Sequence, residues 1–369
     1  MFGLIFAFIC IVPNIYLFLR IRKVFIGKPY RIWYALVYLL LVLDYPINNL
    51  LIEGNFELKY NLISLIARYI LPYYLYVVLL MLLFDLFLLL NRLFKTVSTE
   101  TLKSFKFRII SLSILLLVPL GIDMYGIVNF NTIRTSDYAI TVPRKSSKID
   151  HLKIAFVADF HLKERTDIHF VERFAAKISE IHPDLMLFGG DVVEGTGEGK
   201  KLDRIAKMFR EIKTKYGVYA VLGNHEAYGV QRKGGFFDRA GMTVLCDTVV
   251  SIDHAFSLAG RLDNKYEREQ IGELMKSASD SLPTILMDHR PTDIVANSKT
   301  AVDIQFSGHT HDGQLFPLNL ILKNFYPLSW GYQKVVNTHV FVTSGIMLWG
   351  PPVRTVGKSE IVVVEVEFQ

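Results

Sequence analysis

Four runs of about twenty apolar residues each, long enough to cross a bilayer's hydrocarbon core, fill most of the chain before Val128. They cover residues 2–19, 32–52, 70–90 and 109–128. In lipid no water is present to satisfy backbone N–H and C=O groups, so such runs have to be helices. The first run lacks a basic start and a small-residue cleavage site, which reads as a retained helix and not a cleaved signal peptide. The fourth is the weakest, because Pro119, Gly121 and Asp123 interrupt it. After Thr132 the apolar runs stop and a mixed α/β pattern begins. The expected division is a transmembrane helical domain over 1–130 and a second domain over 131–369.

Loop charge gives an orientation. The first loop holds Arg20, Arg22, Lys23, Lys28 and Arg31 without an acid, and the third holds Arg92, Lys95, Lys103, Lys106 and Arg108 against Glu100. The second carries Glu53, Glu57 and Lys59, with Arg68 at its far end. Basic loops stay in the cytoplasm, so both termini and the second domain are expected outside. Three spans, with the Pro119 segment lying in the interface, would put that domain inside. Asp44, Asp85 and Asp123 sit within apolar runs, where each costs roughly 2.5–3.5 kcal/mol at mid-membrane. They read either as ion pairs that hold helices together or, for Asp44 and Asp123 with Arg68, as a polar pocket for a lipid headgroup.

The net charge of +6 is concentrated in the clusters between apolar runs, where topology accounts for it, so no nucleic-acid partner is expected. Cys10 and Cys246 form neither a disulfide framework nor a thiolate zinc pattern.

In the second domain, a linker and a first edge strand over 129–148 precede an alternation of strands and helices. Strands are expected at 152–158, 185–188, 218–222, 243–246, 256–259, 284–287, 303–306, 340–343 and 361–368. Apolar residues at Ile168, Val171, Phe174, Ala175, Ile178 and Ile181 have helical spacing, as do Leu202, Ile205, Met208, Phe209 and Ile212. Polar residues collect where strands end: Asp159-Phe160-His161, Gly189-Gly190-Asp191, Gly223-Asn224-His225-Glu226, Asp288-His289 and Gly308-His309-Thr310-His311. Functional crevices of open α/β sheets lie at those ends. Carboxylate, imidazole and amide oxygen without thiolate suit manganese, iron or zinc better than calcium or magnesium.

Asp159-x-His161, Gly190-Asp191, Gly223-Asn224-His225-Glu226, His289 and Gly308-His309-x-His311 together resemble the signature of the calcineurin-like metallophosphoesterases. Gly260-Arg261-Leu262-Asp263, Asp288-His289-Arg290-Pro291 and Trp349-Gly350-Pro351-Pro352-Val353-Arg354 are similar to its bacterial membrane-associated branch. The resemblance covers about residues 153–364. It implies a two-sheet β-sandwich flanked by helices and two divalent metal ions (Mn, Zn or Fe). Asp159, His161 and His311 would hold one ion, Asn224, His289 and His309 the other, and Asp191 would bridge. A hydroxide between the ions would attack phosphorus in line. His225 would bind a phosphate oxygen or protonate the leaving group, and Glu194 stands where relatives keep a carboxylate that orients this His. Arg261, Arg290 and Arg354 are candidate phosphate clamps, each with a structural salt bridge as the alternative. Two positions depart from the branch: Asp312 replaces a glycine, and Lys163-Glu164-Arg165 replaces small residues. Asp312 would repel an anionic substrate, bind a cationic headgroup or face solvent.

The implied activity is hydrolysis of a phosphoester, expected to be a diester, in a membrane lipid or lipid-linked glycan. The partners are then the bilayer and a phosphate-containing lipid or glycolipid, and the location is an integral membrane protein with an extracytoplasmic catalytic domain. A catalytically silent, metal-dependent sensing module, or a cytoplasmic-facing pyrophosphatase of a nucleotide-linked lipid precursor, are the competing expectations, with a transport or assembly protein behind them. The apolar stretches 315–330 and 347–349 read as ordinary packing or as surfaces that dip into the membrane interface.

Overall fold

The computed structural model describes residues 2–47, 62–226 and 232–369. The chain divides into two compact units, Met1–Ile127 with Gly350–Val353, and Val128–Trp349 with Arg354–Gln369.

The first unit is helical. Its long helices are Phe2–Val24, Arg31–Ile47, Leu62–Phe94 and Phe105–Asn131, the last of which continues into the second unit. Among the described residues two helices are long and apolar enough to cross a membrane, Arg68–Phe94 and Phe105–Asn131. The expected spans at 2–19 and 32–52 are helical where described, residues 48–52 lie outside the described set, and neither qualifies as a span there. The structure thus supports two candidate spans in place of four. Pro119, expected to weaken the fourth run, lies inside an unbroken 27-residue helix. Proline removes one backbone hydrogen bond, and the turns on either side carry the helix through. Leu17, Ile21, Val77, Met81 and Leu115 form the core of this unit. Asp85 is paired: the Arg20 guanidinium grips both carboxylate oxygens, with Nε at 2.8 Å from Oδ2, and the Tyr16 hydroxyl donates at 2.8 Å. Asp44 and Asp123 each keep a buried carboxylate oxygen without a hydrogen-bond partner, and Arg68 is exposed.

The second unit contains two six-stranded mixed sheets. The strands are β1 (Ile133–Val142), β2 (His151–Val157), β3 (Leu185–Phe188), β4 (Val218–Ala220), β5 (Thr243–Val244), β6 (Thr248–Ile252), β7 (Phe256–Gly260), β8 (Thr284–Met287), β9 (Ile304–Ser307), β10 (Gly331–Val335), β11 (Thr338–Val342) and β12 (Ser359–Phe368). The first sheet runs β1-β12-β2-β3-β4-β5 and the second β10-β11-β9-β8-β7-β6. Because side chains alternate along a strand, Phe156, Leu185, Leu187 and Val364 of the first sheet meet Phe256, Leu258, Met287 and Phe306 of the second between the sheets. The Phe156 and Phe306 rings lie 4.9 Å apart. Ala155, Val157, Met186 and Phe188, on the opposite face of the first sheet, pack against Phe170, Phe174 and Phe209 of two helices.

Those helices are Ile168–Ile181 and Lys200–Arg210. Asp167 caps the first by accepting the His169 N–H, and His182 ends it in a left-handed conformation before Pro183, which cannot continue a helix. Gly199 offers the second helix no side-chain cap. Glu164, from the charged Lys163-Glu164-Arg165 stretch, does so instead, accepting the Lys201 N–H at 3.1 Å. The second helix stops at Arg210 although apolar spacing runs on to Ile212. The following residues turn so that Tyr216 enters the core between the sheets against Phe256. β6 and β10 were not expected; both are sheet edges, with too few buried positions to show an alternating pattern.

Candidate metal centre

The sheets deliver their polar turns to one place. β2 leads into Asp159 and His161, β3 into Asp191, β4 into Asn224 and His225, β8 into His289, and β9 into His309 and His311. Asp159, His161 and His311 form one group whose candidate ligand atoms all lie within 4.8 Å of one another, and Asp191, His289 and His309 form another. A third set under the same limit, His161, Asp191 and His225, links them. Asp159, His161, Asp191, His309 and His311 all have left-handed backbones, with φ between 48° and 72°. Asp and His tolerate this region better than most residues, but it still costs about 1 kcal/mol or more at each position. The folded sheets hold that strain exactly where the ligands must converge on a small volume.

Close approach of backbones is part of the construction. A Cβ at Gly190 would lie 2.6 Å from His289 Nδ1, and one at Gly308 would lie 2.7 Å from Asp159 Oδ2. Neither position accepts a side chain without displacing a candidate ligand.

Hydrogen bonds orient the rings. His289 Nδ1 lies 2.8 Å from the Gly189 carbonyl, which only accepts. That nitrogen therefore carries the proton and Nε2 faces the site. Nε2 is 3.2 Å from Asp191 Oδ2 yet lacks hydrogen-bond geometry, and it is buried. His161 Nδ1 donates to Glu194 Oε1 at 2.9 Å, leaving its Nε2 3.1 Å from His311 Nε2. Asp159 accepts the His309 N–H at 3.0 Å, and Asp191 accepts the His225 N–H at 2.8 Å. Asn224 Oδ1 is buried with no partner.

Electrostatics separate the groups. Burial raises Asp191, but the charges of His289, His161 and His225 outweigh it and hold this carboxyl well below the usual range. Burial lowers His289, yet the Asp191 charge pushes it up to about 10. Burial, with the charges of His289 and Arg290, pulls His309 down to about 3, and burial with His161 takes His311 well below its ordinary value. Those two rings are thus neutral, the form that ligates a cation. The orphaned buried acceptors, the neutral imidazoles and the glycine-lined approach all fit a pair of divalent ions.

His225 belongs to the linking set, but its ring is held by Glu194. Its Nδ1 lies 3.1 Å from Glu194 Oε2, so a single carboxylate orients His161 and His225 together. Burial lowers His225, but the Glu194 hydrogen bond and the charges of Asp191 and Glu194 raise it above its ordinary value. Lys163, from the charged stretch after the first motif, adds its ammonium 3.5 Å from Glu194.

The three arginines part ways. Arg290 forms a two-point pair with Asp263, at 2.6 and 3.1 Å, and keeps 23% of its side chain exposed. Arg261 and Arg354 do not match the expectation of phosphate clamps. Arg261 is buried, bound to Asp288 at 2.9 Å and Asp293 at 3.1 Å. Arg354 has no exposed surface, and its N–H groups donate to the carbonyls of Ser344, Gly345 and Met347 at 2.7, 2.9 and 2.7 Å. Burial lowers Arg354 to about 10. Arg354→Met is expected to destabilise the domain by about 3 kcal/mol, because three buried carbonyls lose their donor, while KM stays unchanged. A raised KM with an unaltered melting temperature would return Arg354 to the substrate.

Two residues have roles the sequence left unassigned. Glu226 is fully buried and accepts the N–H groups of Val192 at 2.6 Å, Gly223 at 2.7 Å, Val193 at 3.1 Å and Asp191 at 3.2 Å. It ties the turn after β3 to the turn after β4. The signal was present as the acid closing Gly223-Asn224-His225-Glu226. Asp263, also buried, fixes Arg290. Asp312 does not face solvent: it is buried, and burial pushes its carboxyl up to about 6.

Two mixed sheets with two Asp/His groups at their strand ends, linked through one carboxylate, define an α/β protein built for a pair of metal ions. The calcineurin-like phosphoesterase family profile matches residues 152–313. A metallophosphoesterase of Helicobacter pylori is 32% identical over 223 residues, 58% of this chain and 60% of its own length. One from Aquifex aeolicus is 30% identical over 245 residues, 64% of this chain and 92% of its own. A Danio rerio protein named as a transmembrane protein with metallophosphoesterase domain is 26% identical over 386 residues, 94% of this chain and 85% of its own. The chain belongs to the calcineurin-like metallophosphoesterase family. It spans 60% of the Helicobacter relative's length.

Proposed function

We propose that this chain is a membrane-bound, metal-dependent phosphoester hydrolase acting on a diester in a membrane lipid or lipid-linked glycan, with its catalytic domain on the extracytoplasmic face. The observation that carries the hydrolase reading is the pair of ligand groups, Asp159/His161/His311 and Asp191/His289/His309, beside a His225 held by Glu194. Asp191 would be the shared ligand, and Asn224 would add its orphaned amide oxygen to the group with His289 and His309. Two divalent ions held there would supply Lewis acidity and a water of lowered pKa.

The chain's own residues do the rest. Glu194 keeps a proton on His225 toward the leaving oxygen, so that bond cleavage does not release an unstabilised alkoxide. Asp263 presents Arg290, whose planar fork suits a phosphate oxygen pair. The membrane reading is supported by the two apolar helices and by similarity to proteins named for transmembrane segments. The lipid reading is supported by apolar helices in the same chain as the metal centre, and the outward orientation by Arg92, Lys95, Lys103, Lys106 and Arg108 around the turn between the two candidate spans.

Incubating the metal-loaded protein with a total lipid extract tests it, with phosphate-bearing headgroups followed by mass spectrometry. One lipid class is expected to lose its headgroup with wild type and to survive with His225→Ala. Turnover of water-soluble diesters alongside an unaltered lipid extract would sink the lipid assignment.

A further inference from the structure

From Gly313 to Ser359 the chain carries no acidic residue. Within this stretch lies the densest exposed apolar surface of the second unit: Phe316 at 50%, Leu318 at 40%, Leu320 at 51%, Ile321 at 52% and Phe325 at 70% exposure. These side chains belong to the short helix Leu318–Leu322 and its flanks, and none of the helix's residues is buried. Lys323 is exposed among them and Lys334 further along. Soluble surfaces rarely gather so many large apolar groups without a partner.

The ridge is joined to the metal centre. It follows His311 directly, and a Cβ on Gly313 would lie 2.6 Å from the Asn319 backbone nitrogen, so the loop and the ridge pack backbone to backbone. The Phe316 N–H donates to Thr355 Oγ1 at 2.9 Å, and the Thr355 N–H to the Gln314 carbonyl at 2.9 Å. The Tyr326 ring lies 6.1 Å from that of His309, and Trp349, 56% exposed, lies 6.0 Å from His225. Exposed or half-buried aromatics therefore border both the ligand His309 and the His225 side of the centre. Of the stretch 347–349, Met347 and Leu348 are buried and only Trp349 is exposed.

We propose that this ridge inserts into the interface of the bilayer that carries the chain's apolar helices, and so brings the metal centre to the headgroup layer. Three observations select a bilayer as the occupant. Large apolar and aromatic side chains with interspersed lysines and no acid match an anionic lipid interface. Only Thr132 separates helix Phe105–Asn131 from β1 at Ile133, so the domain is covalently held close to any membrane that helix crosses. The aromatic border places the apolar surface beside the reactive groups, where a lipid headgroup would have to enter. The inference deepens the lipid reading above and rests on its membrane assignment.

Site-directed spin labelling of the full chain tests it. Phe325→Cys and Ile321→Cys are made in a Cys10→Ser, Cys246→Ser background, with Val295→Cys as an exposed apolar control on the same domain (50% exposed). The protein is reconstituted in nanodiscs of phosphatidylcholine and phosphatidylglycerol. Ridge labels are expected to collide several-fold more with oxygen than with a water-soluble nickel chelate, and the Val295 label to show the reverse. Ridge labels as nickel-accessible as the control would overturn the inference, as would labels shielded from both reagents, which signify a protein partner. The readout needs no turnover. Metal-dependent hydrolysis of a water-soluble diester by the same variants should remain at wild-type level, so loss of insertion is distinguishable from failure of the hydrolase reading.

Discussion

Asp191→Ala is expected to empty both halves of the metal centre and to lower turnover by at least about a thousandfold, since each ion supplies several kcal/mol of charge stabilisation. Asp191 lies within ligand distance of His289 and His309 on one side and of His161 on the other. No neighbouring carboxylate replaces it: Asp159 is engaged with the His309 N–H, and Glu226 with four backbone donors. The measurement is metal content by elemental analysis alongside activity. Retention of both ions by the variant would remove Asp191 from the bridging role. Loading should also depend on pH. Against the lowering effect of burial, Asp191 pushes His289 up to about 10, so an entering ion displaces a proton. Affinity for the ions therefore rises with pH between 6 and 8, and calorimetry in buffers of different ionisation enthalpy counts the proton released.

His225→Ala is expected to cost about 10²–10⁴ in kcat while both ions stay bound. Loss of an ion would make His225 a ligand instead of a proton donor. The pH profile isolates the part played by Glu194. A proton donor works while protonated, so activity falls as pH rises through its pKa. Burial lowers that pKa, and the Glu194 hydrogen bond and charge raise it to a net upward position. Glu194→Gln, measured at saturating metal, should therefore move the alkaline limb to lower pH. An unmoved limb would place the ionisation elsewhere.

The centre was more legible in the sequence than the frame around it. Strand-end turns such as Gly189-Gly190-Asp191 and Gly308-His309 state chemistry and backbone requirement together, since the glycines must admit a neighbouring ligand. β3 and β8, buried on both faces, announced themselves as short apolar runs. β6 and β10 did not, because an edge strand is fixed by its neighbour more than by its own pattern. Charged residues were the hardest to place. Arg261, Arg290 and Arg354 look alike on paper, and only the positions of Asp288, Asp263 and three carbonyls distinguish a structural guanidinium from one near the site. Asp85 likewise gave no sign that its partner would be Arg20, sixty-five positions away.

The end of helix Phe105–Asn131 belongs to the second unit from Val128 onward. The Phe130 ring stacks on Phe170 at 5.5 Å, and its carbonyl accepts the Ser359 hydroxyl at 2.7 Å. Asn129 donates to the Arg354 and Gly357 carbonyls at 3.0 and 3.2 Å. Anyone excising the phosphoesterase domain for solution work at residue 131, where the apolar run gives way to a strand, would cut away a core aromatic ring and a buried clasp on the Arg354 segment. The excised fragment keeps its own keystone only if it starts at Val128 or earlier, and it then carries the exposed Val128 side chain into solution with it.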